Sequence, residues 1–519
     1  MPTNLRFTQR FADSIVATLE CHDRVIFKGY LPFHGDDHLN GWVDGALKVC
    51  RKDFLPLVEF WSGELVDHAK RLAEETGAFY HYFEQCPNKK KLVDQLLRER
   101  PHDDGLVAVL CVKECARTIK LVYGQGRPRL VFARRPHRVL YFYFLDPQFG
   151  LVHLRLQTWF PYAIQVYVNG HDWLARQLLH QRIGFVQQDN AFTEIDDVAR
   201  AQRLANRFPH LPWVTVLNRW AKQFQSLLGQ RWLGQRDYYW VIDQAEFSTD
   251  LLFKDRAALA RLYPELLHHA LRNFSAEDIL TFLGRRLHAR FDGEVLTDCK
   301  KDRLPGARIK HRVKNNWLKM YDKFGLILRI ETVINQPREF KVRRRCTRRG
   351  RQRMGWCPMN KGVANFYHYH AVARAANHRY LDGLANVQPD NQLADLLDRV
   401  SKPGRLNGRR RRPLSVLHPR EQALFRAVLR GEHRLNGFRN GDIARQLFAQ
   451  PARTAAQQRS RTAQVSRRLQ LLRAHGLIAK VPRSYRYQVT AKGETVMNAA
   501  LYLRHRALPT LLKLLEEAA

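Results

Sequence analysis

Two very short turns govern what the stretch 307–335 can become. The runs "ARIKHRVK", "WLKMYD" and "LILRIETVIN" are strand-like, and they are joined by Asn315-Asn316 and by Lys323-Phe324-Gly325. Asn and Gly supply the positive-φ backbone that tight hairpins require. Connections this short leave neighbouring strands antiparallel. The stretch is therefore expected to be a three-stranded meander within an α+β unit. Its core, "NNWLKMYDKFGLILRIETVINQ" (315–336), has an upstream echo in "YFYFLDPQFGLVHLRLQTWF" (141–160). Both run from an aromatic strand through Asp and Phe-Gly into Leu-Arg-apolar-(Gln or Glu)-Thr. Aligned this way, Arg155 matches Arg329 and Gln157 matches Glu331. Duplication of a small sheet and coincidence between two aromatic hairpins both stay open.

The first 235 residues alternate helical and strand patterns. "CHDRVIFKGYLPF" reads as an opening strand, "DFLPLVEFWSGELVDHAKRLAEETGA" as a helix ending at Gly77, and five strand-like runs follow between 105 and 170. A helical stretch near 194–233 leads to "DYYWVIDQAEFSTD", read as a strand running into the first turns of a helix. Ser275 with Asp278 forms a capping-box signature, and "GVANFYHYHAVARAANHRYLDGLANV" reads as helix. His368 and His370 stand two apart there, which does not put a metal pair on one helical face. The expected class is α+β: two antiparallel-sheet-containing α+β units at 1–235 and 236–400. An Arg-rich linker at 401–415 ("SKPGRLNGRRRRPLS") then leads into a C-terminal domain at 416–519.

Charge narrows the partners. Lys plus Arg number 87 against 49 Asp plus Glu, a net charge of +38. A chain this basic is expected on a polyanion, because neutralising phosphates releases counterions. The longest apolar run, "GLVAVLCV", is far short of the roughly 20 residues that span a bilayer. The polar start lacks the apolar core of a secretory signal, and eight scattered cysteines point to reduced thiols. A cytoplasmic, membrane-free protein is expected. No P-loop, H-E-x-x-H or G-x-S-x-G signature occurs.

In the last hundred residues, "NGDIARQLF" reads as a short helix and "TAAQQRSRTAQVSRRLQLLRAHGLI" as a longer one. Val465, Leu469, Leu472 and Leu477 fall on one face of the latter. "AKVPRSYRYQVTAKGETVMNAAL" reads as a β-wing and a closing helix capped by Thr490. The run "HGLIAKV…YRYQVTAKG" resembles the winged helix-turn-helix domains of bacterial regulators, including the MarR-like group, over about 413–505. The resemblance implies DNA binding, with a homodimer through this region as a further implication. A helix in the major groove needs polar and cationic side chains. Gln458, Arg459, Arg461, Gln464, Arg467, Arg468 and Arg473 supply them, and Lys480, Arg483 and Arg486 stand on the wing. Protein docking is the other known use of such domains. The segment "AQPARTAAQQRS" lengthens the turn between the two helices and leaves the start of the recognition helix open.

Candidate chemistry centres on the second hairpin. Strand period places Leu328, Ile330 and Thr332 on one face of "LILRIETVIN", and Arg329 and Glu331 on the other. Asp243, Glu246 and Asp250 lie in "VIDQAEFSTD", near one face if that segment is helical. Together with Glu331 they form a candidate ligand set for Mg²⁺ or Mn²⁺, which take oxygen ligands. Helix-terminal acids and salt bridges to the many arginines are the structural alternative. "LKMYDKFGLILRIET" resembles the hairpin of rolling-circle replication initiators, which nick DNA with a tyrosine and use a metal. The resemblance places Tyr321, Asp322, Lys323, Arg329 and Glu331 in sheet scaffold beside a site. Tyr321, whose face also holds Lys319, is a nucleophile candidate, with a packed strand aromatic as its alternative. Catalytic candidates are thus Glu331, Asp243 and Tyr321. Arg343, Arg344, Arg345, Arg329 and Arg155 are further nucleic-acid-binding candidates.

Two functions follow. One is a plasmid or mobile-element protein, initiator- or transposase-like, that finds DNA with a winged helix and cuts it by metal-dependent phosphodiester chemistry. The other is a non-catalytic DNA- or RNA-binding regulator. RNA is the alternative partner because aromatic strands such as "YFYF" beside arginines could stack unpaired bases.

Overall fold

The computed structural model describes the chain apart from residues 1–5, 32–35, 86–87, 100–103, 231–236, 286–293, 305, 349–350, 386–395, 431–432, 434–436, 449, 483 and 508–519. Two units, Met1–Ala385 and Asn386–Ala519, make up the chain.

In the first unit β1 (Ile15–Tyr30) is followed by helix Phe54–Thr76, β2 (Phe79–Phe83) and helix Lys89–Glu99. Four strands come next: β3 (Gly105–Val122), β4 (Arg129–Asp146), β5 (Gly150–Gln157) and β6 (Ile164–Asn169). Helix Gly170–His180, the hairpin of β7 (Phe185–Gln188) and β8 (Ala191–Ile195), and helices Val198–Ala205 and Trp213–Phe224 lead to β9 (Tyr239–Phe253). Helices Arg256–Arg272 and Ala276–Phe282 precede a second run of four: β10 (Val295–Leu304), β11 (Gly306–Val313), β12 (Asn316–Lys323) and β13 (Ile327–Ile334). The hairpin of β14 (Lys341–Arg348) and β15 (Arg351–Pro358) and the helix Phe366–Leu384 complete the unit.

Eleven of these strands form one sheet, in the order β10-β11-β12-β13-β9-β1-β6-β5-β4-β3-β2. Its neighbours are antiparallel except for the parallel pair β2 and β3. The mixed α+β class stands, but the boundary expected near 235 does not separate two sheets. Strand β9 pairs with β1 on one side and β13 on the other, which fills both of its edges and removes the unpaired rows that an edge strand exposes.

The connectivity repeats across this centre. Outward from β1 lie β6, β5, β4 and β3; outward from β9 lie β13, β12, β11 and β10. Position for position, β12–β13 corresponds to β5–β6, whereas the sequence echo lies on β4–β5. The echo is therefore displaced by one strand, and Arg155 is not the positional counterpart of Arg329.

Local choices explain the meander. Phe324 (φ 61°) and Gly325 (φ 72°) both turn left-handed, and the Leu326 amide donates to the Lys323 carbonyl at 3.1 Å. This is the geometry of a type I′ hairpin. The preceding turn sits one residue earlier than expected, at Lys314-Asn315. Asn316 already pairs with Val313, and its Oδ1 accepts from the Asn335 and Gln336 amides at 3.0 and 2.9 Å. Helix Phe54–Thr76 ends at Gly77 (φ 65°), and Ser275 caps its helix with Asp278, both as expected. At Gly170 a Cβ would lie 2.2 Å from the His22 carbonyl oxygen, so only glycine lets helix Gly170–His180 start against β1.

Residues 239–253 are strand throughout, not strand followed by helix. Strand β13 is buried along its whole length, so Arg329 and Glu331 face a covered polar interior instead of solvent. Behind the strands, Asn377 of helix Phe366–Leu384 donates to the carbonyls of Phe247 and Ile330, both at 3.1 Å.

The second unit contains the hairpin of β16 (Gly404–Leu406) and β17 (Arg409–Arg411), then helices Pro419–Val428, Asn440–Leu447 and Ala455–Ala474. The strands β18 (Ile478–Lys480) and β19 (Tyr487–Val489) and the helix Ala491–Tyr502 follow. Part of the expected 401–415 linker is thus structured, and Arg411 donates to Gln470 Oε1 at 2.8 Å. Leu424, Phe425, Phe438, Ile443, Val465, Leu469, Leu472, Leu477 and Val496 form a common core. Thr454 caps the longest helix and Thr490 the last one. Among the described residues of the chain, no helix is long and apolar enough to cross a membrane.

Candidate metal centre

Strand period and one bulge bring three carboxylates to the middle of the sheet. The register sets Glu331 opposite Ser248 and Arg329 opposite Asp250, so residues 246, 248 and 250 of β9 share a face with 329 and 331 of β13. On β1 the pairing slips between His22 and Val25. Asp23 and Arg24 occupy this bulge beside Glu246, and a bulge re-aims side chains in this way. Oxygens of Asp23, Glu246 and Glu331 lie within 4.8 Å of one another. The three residues are only 4%, 5% and 1% exposed.

Each carboxylate is held by its neighbours. Tyr321, opposite Arg329 on β12, donates its hydroxyl to Glu331 Oε2 at 2.5 Å, and Lys319 pairs with Glu331 Oε1. Glu246 Oε1 accepts from Arg24 at 2.7 Å and from Gln244 at 2.5 Å. Asp23 accepts from Asn169 at 3.1 Å and from Asn190, in the β7–β8 turn, at 2.5 Å. His171 Nδ1 lies 3.6 Å from Asp23. Arg329 binds Asp250 through Nε and Nη2 at 2.6 and 2.5 Å, and its Nη2 also donates to the Asn190 carbonyl at 2.6 Å.

Four carboxylates (Asp23, Glu246, Asp250 and Glu331) are packed with four cations: Arg24, Lys319 and Arg329 pair with them directly, and the buried Lys323 adds its charge near Asp250 and Asp23. Burial first, and then the charge of Glu331, push the Glu246 carboxyl up from its ordinary value. Burial also pushes Asp23 upward, but His171, Arg329 and Asn190 outweigh it and hold that carboxyl well below the usual range. Buried like charges this close favour uptake of a proton or a cation. Oxygen donors only, at close spacing, suit Mg²⁺ or Mn²⁺.

The structure redistributes the residues expected from sequence. Glu246 and Glu331, two of the four candidate ligands, lie together. Asp250 instead neutralises Arg329, and Asp243 stands aside, 35% exposed and 3.8 Å from Lys361. The strand conformation explains this, since a period of two separates Asp243 from residues 246 and 250, whereas the helical assumption had grouped them. Asp23 completes the triad and was missed. Its one signal was acid and imidazole inside the strand run "LECHDRVIF". Tyr321 is a buried hydroxyl donor whose phenol is pushed well above its ordinary value by burial and then by Glu331.

Among the nucleic-acid candidates, Arg329 is fully buried in this centre. Arg155 is tied to Glu114 at 3.0 Å and to the Tyr141 hydroxyl at 3.1 Å. Arg343 and Arg345 are exposed on β14, while Arg344 donates to the Pro358 carbonyl at 3.1 Å. On helix Ala455–Ala474 Arg459 and Arg467 are exposed, and Gln464, Arg468 and Arg473 are partly so. Arg461 donates to the Gln450 carbonyl at 2.5 Å and Arg486 to the Gly437 carbonyl at 3.3 Å. Lys480 is exposed, and Arg483 lies outside the described residues. No family model, curated protein or solved structure matches this chain.

Proposed function

We propose that this protein binds DNA through its second unit and cuts a phosphodiester bond with a divalent cation held by Asp23, Glu246 and Glu331. The observation that carries the reading is the convergence of three buried carboxylates from three strands within 4.8 Å. A bound Mg²⁺ or Mn²⁺ would polarise a phosphoryl oxygen and help a water lose its proton, so that hydroxide adds to phosphorus as the ester oxygen leaves and takes up a proton. Lys319 and Tyr321 fix the Glu331 carboxylate, and Asn190 and Asn169 fix Asp23. Arg24, half-exposed beside Glu246, is placed to meet the phosphate charge. Tyr321 serves here to orient Glu331, because its proton is committed to that carboxylate and burial disfavours the phenolate. Initiators and transposases of plasmids and mobile elements are one class that couples such cutting to site recognition, and the one this reading takes.

The reader in this proposal is a winged helix. The order helix, strand residue Phe438, two helices, β18, β19, helix supports it, with Phe438 bridging Tyr487 beside the wing. The cap at Thr454 starts the reading helix at Ala455, so that 450–453 belong to the lengthened turn. Arg459 and Arg467 on its exposed side suit base edges and phosphates.

A second reading, a non-catalytic regulator, draws on the fact that each of the three carboxylates already has protein partners. Incubating end-labelled DNA with Mg²⁺ or Mn²⁺ separates the two. Cleavage by wild type that vanishes in Asp23→Asn supports the enzyme. DNA binding without cleavage by either metal selects the regulator.

A further inference from the structure

We propose that the β14–β15 hairpin is an arm for single-stranded nucleic acid, with Lys341, Arg343 and Arg345 on phosphates and Trp356 stacked on an unpaired base. This goes beyond the cleavage reading and does not depend on the carboxylate centre.

The register sets Arg343 opposite Trp356 and Arg345 opposite Met354. Antiparallel partners share a face, so these four side chains and Lys341 line one surface of the ribbon. All five are exposed, with Trp356 at 65% and Met354 at 56%. The opposite surface is anchored at its base by buried Val342 and Cys357. The arm is thus fixed at one end, with a surface that nothing among the described residues covers.

Its chemistry selects the partner. The segment 341–358 contains no Asp or Glu, and no carboxylate among the described residues pairs with Arg343 or Arg345. Same-face residues on a strand recur about every 6.7 Å, comparable to the separation of successive phosphates along an extended strand. An indole left in water beside cations is the arrangement that stacks bases while cations hold the backbone. In a duplex the base faces are already stacked on one another, so an exposed indole needs an unpaired base.

The test is fluorescence anisotropy of full-length protein in EDTA, with labelled oligothymidylate, labelled oligouridylate and a labelled duplex over a salt series. Trp356→Ala should weaken binding to the single strands about tenfold or more and leave duplex binding unchanged, whereas Trp356→Phe should keep most of the affinity. The oligothymidylate and oligouridylate arms show whether the strand taken is DNA or RNA. Arg343→Gln with Arg345→Gln should reduce the slope of log affinity against log salt by about 1.4, two contacts at roughly 0.7 each. Wild-type single-strand affinity in Trp356→Ala, or equal losses on single strand and duplex, would overturn the proposal. EDTA keeps the outcome independent of cleavage.

Discussion

Arg329 on β13 and Asp250 on β9 face each other across the middle of the sheet, joined by two hydrogen bonds of 2.6 and 2.5 Å with the guanidinium fully buried. This pairing takes Asp250 out of the ligand set and leaves the neighbouring triad to Asp23, Glu246 and Glu331. It also makes Arg329 a structural cation and removes it from the DNA-contacting set.

Removing one partner of a buried pair strands the other. Arg329→Met should lower unfolding free energy by about 3–5 kcal/mol, measured by urea titration followed by circular dichroism. Adding Asp250→Asn to it should recover part of the loss, because the carboxylate left unpaired is then gone.

Metal affinity should separate the proposed ligands Asp23, Glu246 and Glu331 from the other sequence candidates. Asp243→Asn should leave Mn²⁺ binding unchanged by calorimetry, since Asp243 points to Lys361. Asn190→Ala removes a bond that orients Asp23 and should cost about 10–100-fold in affinity.

Much of this scaffold was legible. The meander 306–334, the Gly77 stop and the caps at Ser275 and Thr490 follow from local turn and cap chemistry, whereas the cap at Thr454 was not read. The site was only half legible, for a physical reason. Period-based reading treats a polar strand face as wet, and the face of β9 carrying Glu246, Ser248 and Asp250 is polar because it lines a buried charged interior. Its alternation was therefore mistaken for a helix start. Asp23 depends on a bulge in a strand pair formed across more than two hundred residues of chain, a long-range relation that no local pattern records. The sheet echo is limited in the same way, since similarity between β4–β5 and β12–β13 says nothing of which neighbours each strand finds.

Asp322 supplies a pH signature. Burial pushes its carboxyl from the ordinary 3.8 up to about 6, outweighing the Gly325 amide and the charge of Arg256. The folded form then binds this proton more readily than the unfolded form between those values, so wild type gains stability from this group as pH falls through about 6 toward 4. Asp322→Asn lacks that increment. Its midpoint in urea should therefore exceed the wild-type value by more at pH 7.5 than at pH 4.5.

If helix Ala455–Ala474 reads DNA as proposed, its contribution should be separable from bulk charge. Arg467→Ala, at an exposed position, should lower discrimination between specific and scrambled duplexes by about 1–3 kcal/mol if it meets a base edge. If it meets a phosphate, both affinities fall together and the salt slope drops by about 1. Competition gel shifts over a salt series distinguish these outcomes.

The central claim is that Asp23, Glu246 and Glu331 hold a divalent cation. Anomalous diffraction from crystals soaked in Mn²⁺ tests it most directly. The expected result is a peak within about 2.0–2.3 Å of one oxygen from each carboxylate, the range for small divalent cations on oxygen, and its loss in Asp23→Asn. A well-diffracting soaked crystal with no peak there, and with Lys319 and Arg24 still bound to Glu331 and Glu246, would contradict it.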